Sequence, residues 1–501
     1  MSDTETLERP AATQVVTHFD VLIAGAGISG VGAAYHLQQQ CPGKTFALIE
    51  AQAGFGGTWR THKYPGIRSD SDLYTFGYRF KPWEGPPIAA ASEILTYMGE
   101  VIEENDLERH IRYNHVIKRA SWSGSDNLWT VEAERSDTGD QVSFTTNFLW
   151  MCQGYYNHKQ PYTPQWPGMA DFAGTVVHPQ TWPDDINLSG KRVVVIGSGA
   201  TAATVVPAIA EQCAHVTMLQ RSPTYFLPTS NANELADRLR QIGVDPMTVH
   251  EVVRRQINFD FNDLTRRCVE EPDSVVAELK EAAFAWLPPG YDFEKHFVGR
   301  YRPWQQRMAF IPDGDLFAAV ASGKASVVTD EIDRITPTGI LLKSGEELPA
   351  DIIVTATGFD LSVMGDVQFN VDGKPVNFAD TVSWRGMMFT GIPNMTWVFG
   401  YFRASWTLRV DLQADLMCRL FNHMDEKHFS CVEAKLRPDE EGAERLPWIG
   451  ADNFNPGYLN RSMHLMPKRI AGGLWEHPQH YWSEKEEIPK IDLDGDALVY
   501  A

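Results

Sequence analysis

Two glycine-rich loops constrain this chain more than any other feature. The first, Gly25-Ala-Gly-Ile-Ser-Gly30, follows the apolar run Phe19-Asp-Val-Leu-Ile-Ala24 and opens a helical pattern from Ile28 to about Gln40, with Val31, Ala34, Tyr35 and Leu37 on one side. A second apolar run, Phe46-Ala-Leu-Ile49, then ends at Glu50. A lone G-x-G-x-x-G is weak, expected by accident about 0.2 times in a chain of this glycine content. The strand–turn–helix–strand setting makes it a dinucleotide site. Glycines let the backbone reach a pyrophosphate at a helix N-terminus, where free N–H groups and the dipole favour anions. Gly25, Gly27, Ser29 and Gly30 are read as that loop, and Glu50 as the acceptor of ribose hydroxyls.

The plan repeats. Arg192-Val-Val-Val-Ile196 leads into Gly197-Ser-Gly-Ala-Thr-Ala202, and Val216-Thr-Met-Leu219 follows. Gly197, Ser198, Gly199, Ala200, Thr201 and Ala202 form the second candidate loop. The position matching Glu50 is Gln220, followed by Arg221 and Ser222. An acid repels a 2′-phosphate, whereas a neutral residue followed by arginine accommodates one. The first unit is therefore expected to hold FAD and the second NADPH. The fold class expected is α/β, with two Rossmann-like dinucleotide-binding domains.

A chain of 501 residues exceeds what one core organises, so two or three domains are expected. The formal charge of −21 argues against nucleic acid, since no basic excess exists to neutralise phosphates. The six cysteines form no C-x-x-C pair and read as reduced thiols of a cytoplasmic protein. Asp70 and Asp72 have no His or Cys near them in sequence, so no metal is expected. Residues 1–17 are polar without an apolar core, a loose tail rather than a signal peptide. The apolar stretch Met387–Leu408 contains Pro393, Asn394 and Arg403 and is read as buried strands, not a membrane span.

Residues 223–304 interrupt the second unit. Val249, Val252, Val253 and Ile257 recur at helical spacing, as do Val276, Leu279, Ala283 and Leu287 after an Asp273-Ser274 start signal. Strands resume at Ala325-Ser-Val-Val328, Gly339-Ile-Leu-Leu342 and the run Asp351–Asp360. The expected division is residues 15–155 for FAD, 156–222 for NADP, 223–304 as a helical insertion, 305–354 for NADP again, and 355–501 returning to FAD.

Between the loops lies Phe172-Ala-Gly-Thr-Val-Val-His-Pro-Gln-Thr-Trp-Pro-Asp184. Its pattern F-x-G-x-x-x-H-x-x-x-W-P, held by Phe172, Gly174, His178, Trp182 and Pro183, is expected at about 10⁻⁴ per chain by accident. It is the fingerprint of the type I Baeyer–Villiger flavin monooxygenases, which this sequence resembles, most nearly in the bacterial subgroup typified by the ethionamide-activating monooxygenase. Collinear matches include Gly56-Gly-Thr-Trp59, Tyr64–Asp72, Gln220–Tyr225, Pro303-Trp-Gln-Gln-Arg307, Ile311–Phe317, Ala404–Leu408 and Asn455-Pro-Gly-Tyr458.

The resemblance implies that Thr58 and Trp59 line the flavin, and that Asp70 sits between isoalloxazine and nicotinamide. It also implies that the Ile117 backbone meets the adenine, that Arg307 is the active-site arginine, and that His178 is a hinge residue rather than an acid or base. The chain departs from the wider family at Gln306, where many members carry a lysine for the NADPH phosphate, so Arg221 carries that expectation.

The reaction implied is hydride transfer from NADPH to FAD, capture of O₂ as a flavin C4a-peroxide, and insertion of one oxygen beside a ketone carbonyl to give an ester or lactone. Arg307 would stabilise the developing negative charge, with Asp70 orienting it. The partners expected are O₂ and a ketone or thioether-type small molecule. The alternatives are a heteroatom (S or N) monooxygenase, whose related fingerprint ends in Phe or Tyr, a disulfide reductase, which needs a cysteine pair, and a non-catalytic flavin-binding protein.

Overall fold

The computed structural model describes residues 16–495 and 497–501, so all but the end of the expected N-terminal tail lies outside the described residues. The first strand is Thr17–Ala24, two residues longer at its start than the apolar run. It pairs in parallel with Phe46–Ile49 on one side and with Gln141–Met151 on the other. Gln141–Met151 turns the sheet antiparallel through Leu128–Arg135 and His115–Ser123. Helix Ile28–Gln40 is buried on nearly all sides, because it is sandwiched between this sheet and the long helix Trp406–Lys427.

The second sheet is wholly parallel, in the order Ala325–Thr329, His215–Gln220, Arg192–Ile196, Ile352–Thr355 and Thr175–Val177. Its central strands Val193–Ile196 and Ile352–Val354 are apolar at every position, as burial on both faces requires. The edge strand Thr175–Val177 comes from within the F-x-G-x-x-x-H pattern. Gly174 is small for a structural reason: a Cβ there would lie 2.3 Å from the Asp351 carbonyl oxygen. The same carbonyl accepts from Thr175 N at 3.2 Å.

Two details depart from the sequence expectation. Residues 223–304 are helical at Glu234–Gln241, Pro246–Glu270, Pro272–Phe284 and Phe293–Phe297. They nevertheless begin with a strand, Phe226–Thr229, parallel to Ala309–Pro312. The third of these helices starts at Pro272 rather than Asp273-Ser274, since proline suits a first turn where N–H groups have no helical partner. It ends at Phe284, so Leu287 packs from the loop beyond, and Val275 takes the fully buried place expected of Val276. The run Asp351–Asp360 is likewise two strands. Ile352–Thr355 closes the parallel sheet, and Phe359–Leu361 returns antiparallel to Tyr156–Pro161. The outward and returning connections between the lobes thus lie side by side.

The long insertion helix is tied to the first lobe by Arg254. Its Nη1 donates to the carbonyls of Tyr74, Thr75 and Gly77 at 2.8, 3.0 and 2.9 Å. Its Nη2 lies 3.4 Å from Asp411, which His36 Nε2 also approaches at 2.9 Å. Met387–Leu408 forms the short strands Met388–Phe389 and Met395–Trp397 before a helix begins at Trp406. No described helix is long and apolar enough to cross a membrane. All six cysteines are free thiols.

The tightest point of the first lobe is the loop itself. A Cβ on Gly30 would sit 1.9 Å from the Gly25 carbonyl oxygen, a backbone atom that cannot swing away. Gly30→Ala is expected to lower stability by about 3 kcal/mol or more, read as a shifted urea midpoint with loss of bound flavin.

Candidate active site between the two glycine loops

A cavity of about 1300 Å³ lies between the lobes at the C-terminal ends of the parallel strands of both sheets, where α/β sheets bind ligands. The two loops meet it with one geometry. Gly25 N donates to Ile49 O and Gly197 N to Leu219 O, both at 2.8 Å. The residues before the two helices, Gly27 and Gly199, have φ/ψ of −74°/−176° and −75°/−176°. No side chain caps either helix start, so first-turn N–H groups are left for an anion. A Cβ on Gly199 would meet nothing within 4 Å, which leaves the backbone open to a ligand. A Cβ on Gly57 would meet Gly27 Cα at 3.1 Å, so the Gly56-Gly57 turn closes over the first loop. Both cradles fit a dinucleotide pyrophosphate.

Of the residues singled out from sequence for cofactors and catalysis, all but Gly30 and Ala202 line this cavity. Those two are buried packing positions of their loops. Glu50 is buried, and both of its oxygens accept from backbone N–H groups. Its Oε2 accepts from Ala26 N at 2.7 Å and its Oε1 from Gln52 N at 2.8 Å. Burial raises its pKa against those N–H groups. Each oxygen keeps a second lone pair for a ligand. Gln220 turns inward, donating to His296 O at 2.6 Å and Thr329 Oγ1 at 2.9 Å. Arg221 is left exposed at the rim, beside Asp330 and Glu331. Ser198 Oγ bonds Ser222 O at 3.1 Å and joins the second loop to that rim.

None of the five fingerprint residues lines the cavity. His178 Nδ1 accepts from Gln180 N at 3.1 Å, and Gln180 Nε2 donates to Asn157 O at 2.7 Å in the outward connection. Burial lowers the His178 pKa, while the nearby carbonyls of Gly358 and Tyr162 act the other way. A neutral imidazole therefore sits where both connections pass.

The cavity is lined by an ion pair between residues far apart in sequence. Arg307 Nε donates to Asp70 Oδ2 at 2.5 Å and Nη2 to Oδ1 at 2.8 Å, with Ser71 Oγ 3.3 Å from Nη2. Nη1 donates to Phe402 O at 3.0 Å. About a third of each side chain stays exposed to the cavity, 30% for Arg307 and 32% for Asp70. Burial disfavours the guanidinium charge, but the Asp70 carboxylate outweighs it and holds the Arg307 pKa above the ordinary arginine value.

Sequence reasoning assigned no role to the aromatic residues around this pair. Tyr155 and Tyr156 stand just beyond the end of Gln141–Met151, and Tyr458 lies in the first turn of helix Gly457–Ser462. Trp406 Nε1 donates to Ser29 Oγ at 2.7 Å, joining the long helix to the first loop. The available signal was position, since residues past the carboxyl end of a parallel strand face the ligand site.

His62 and His158 also line the cavity, their rings 5.5 Å apart. His62 is buried with neither ring nitrogen bonded, and burial, with His158 and His178 nearby, pushes its pKa down to about 4. The unfolded chain, at about 6.5, binds this proton more readily. Stability is therefore full above pH 6.5 and falls as pH drops toward 4, by roughly 1.4 kcal/mol per unit at most. Urea midpoints should show that loss, and His62→Phe should flatten it.

Comparison with known proteins agrees with this geometry. A family model described as pyridine nucleotide-disulphide oxidoreductase matches residues 19–277. The FAD-containing monooxygenase EthA of Mycolicibacterium smegmatis is 43% identical over 486 residues, 96% of this chain and 97% of that protein. The probable FAD-binding monooxygenase AlmA of an Acinetobacter species is 40% identical over 483 residues, 96% of each chain. A steroid monooxygenase solved with NADP superposes with a TM-score of 0.75 at 22% identity, covering 97% of this chain and 99% of that one. An open form of cyclohexanone monooxygenase gives 0.73 at 18% identity, covering 97% and 100%. The chain belongs to the FAD-containing flavoprotein monooxygenases and shares its fold with the Baeyer–Villiger monooxygenases.

Proposed function

We propose that this protein is an NADPH-dependent Baeyer–Villiger monooxygenase, inserting one atom of O₂ beside a ketone carbonyl to give an ester or lactone, with sulfoxidation of thioethers as a second activity. The observation that carries the reading is the doubly bonded Arg307–Asp70 pair in the cavity that both glycine loops line. We assign residues 15–155 and 355–501 to the FAD lobe, 156–222 and 305–354 to the NADP lobe, and 223–304 to an insertion. Free thiols throughout suit a cytoplasmic protein.

Bound FAD supplies the oxygen activation, which side chains cannot perform. The first loop would hold the FAD pyrophosphate at the uncapped helix start at Ile28, with Glu50 fixing the loop and available to a ribose hydroxyl. The second loop would hold NADPH in the same way, and Arg221 would read its 2′-phosphate. Arg307 keeps one face of its guanidinium locked on Asp70 and Phe402 O. It thereby presents a fixed positive charge to the oxygen that gains negative charge during attack on the carbonyl. The ring walls around it limit water at that point.

Arg307→Ala is expected to bind FAD and be reduced by NADPH, yet to lose about 10²- to 10³-fold in ester formation, with O₂ consumed mainly as H₂O₂. Ester yield near that of the wild type would make the arginine structural and overturn the reading. Arg221→Ala should raise KM for NADPH by about tenfold or more while leaving KM for NADH nearly unmoved, as loss of one charged hydrogen bond to phosphate predicts. Equal changes for the two cofactors would show that Arg221 does not read the phosphate.

A further inference from the structure

Arg307 is not the only polar group on the substrate side of the cavity. Tyr155 and Tyr156 follow Gly154, whose φ of +77° turns the chain out of the central strand and across the cavity wall. The Tyr155 hydroxyl donates to the Tyr156 oxygen at 3.1 Å, which leaves the Tyr156 proton free to point elsewhere. Tyr155 is itself fixed: its ring stacks on Trp406, with centroids 5.3 Å apart and planes at 18°, and Trp406 is held by Ser29. Tyr156 is flanked by Phe359 at 4.5 Å and Tyr458 at 6.4 Å. All of these rings line the cavity that Arg307 and Asp70 line.

The hydroxyl is an uncharged donor in this setting, because burial raises the Tyr156 pKa against the pull of Tyr155 and Arg307. The two polar groups differ in kind. Arg307 answers charge that develops during reaction, whereas a fixed neutral O–H recognises an acceptor already present in the bound substrate.

Resting on the monooxygenase reading above, we propose that Tyr156 is a specificity-determining residue whose hydroxyl donates to the carbonyl oxygen of the substrate, with Tyr155 as the positioning residue that orients it. A ketone oxygen is a strong acceptor and a thioether sulfur a weak one, so the donor favours ketones over thioethers. The proton stays on Tyr156 throughout, and no bond is made or broken there.

A matched pair of probes tests this on the holoenzyme: benzylacetone, and methyl phenethyl sulfide, in which sulfur replaces the carbonyl. For Tyr156→Phe, kcat/KM for the ketone should fall relative to the sulfide by about 3- to 10-fold, the range of one neutral hydrogen bond. Tyr155→Phe should shift the ratio in the same direction by less, and it carries the test alone if Tyr156→Phe fails to retain flavin. An unchanged ratio in the variant tested, through equal losses or no loss, overturns the assignment, because a merely structural ring would affect both probes alike. Wild-type enzyme that oxidises NADPH but forms neither ester nor sulfoxide would instead overturn the monooxygenase reading itself.

Discussion

The junction of this molecule depends on how a half-buried arginine is satisfied. A guanidinium taken out of water is costly unless its donors are filled and its charge is answered. Arg307 meets both conditions through two segments distant from its own: Asp70 and Ser71 from the loop after the first glycine motif, and the carbonyl of Phe402. Neither supplies every partner alone. The requirement draws the first lobe, the second lobe and the returning chain to one point, and the cavity is the space they enclose.

Other contacts hold the same junction. Gly66 packs so closely on helix Ala200–Ala210 that a Cβ would lie 2.7 Å from that of Ala208. Arg68 pairs with Asp315 at 2.5 Å across the lobes. The two connections run as paired strands; just after His178, Gln180 holds the outward one at Asn157, while Gly174 packs against Asp351 at the start of the strand Ile352–Thr355. His178 does not line the cavity and instead accepts from Gln180 N beside the outward connection. The chain leading to Tyr401 and Phe402 is braced by Arg409, fully buried, which donates to Phe399 O at 2.9 Å and lies 3.2 Å from Glu484.

Local features were legible where local physics governs. The strand, glycine turn and helix of each unit follow from apolar runs, from positive φ at Gly25 and Gly197, and from helical spacing after each loop. Resemblance in short segments pointed to Asp70 and Arg307 without showing that they touch. Reading failed where pairing partners lie far away. Phe226–Thr229 is too short to announce a strand, and Ala309–Pro312, its partner, lies beyond four helices. What the sequence did not show for Glu50, expected as a ribose acceptor, is that its oxygens also accept from the backbone N–H groups of Ala26 and Gln52.

By itself the sequence determined two dinucleotide loops, the acid and the arginine that distinguish their following strands, and a fingerprint between them, because each is a property of a few adjacent residues. Only the tertiary structure decided which side chains share the cavity. Asp70 and Arg307 meet because a parallel sheet, an insertion and a returning strand carry them there. Tyr155, Tyr156 and Trp406 become a wall because the helix beginning at Trp406 folds back onto Ser29. Hydrogen-bond and charge partners distant in sequence leave no periodicity to read, so their identity belongs to the fold.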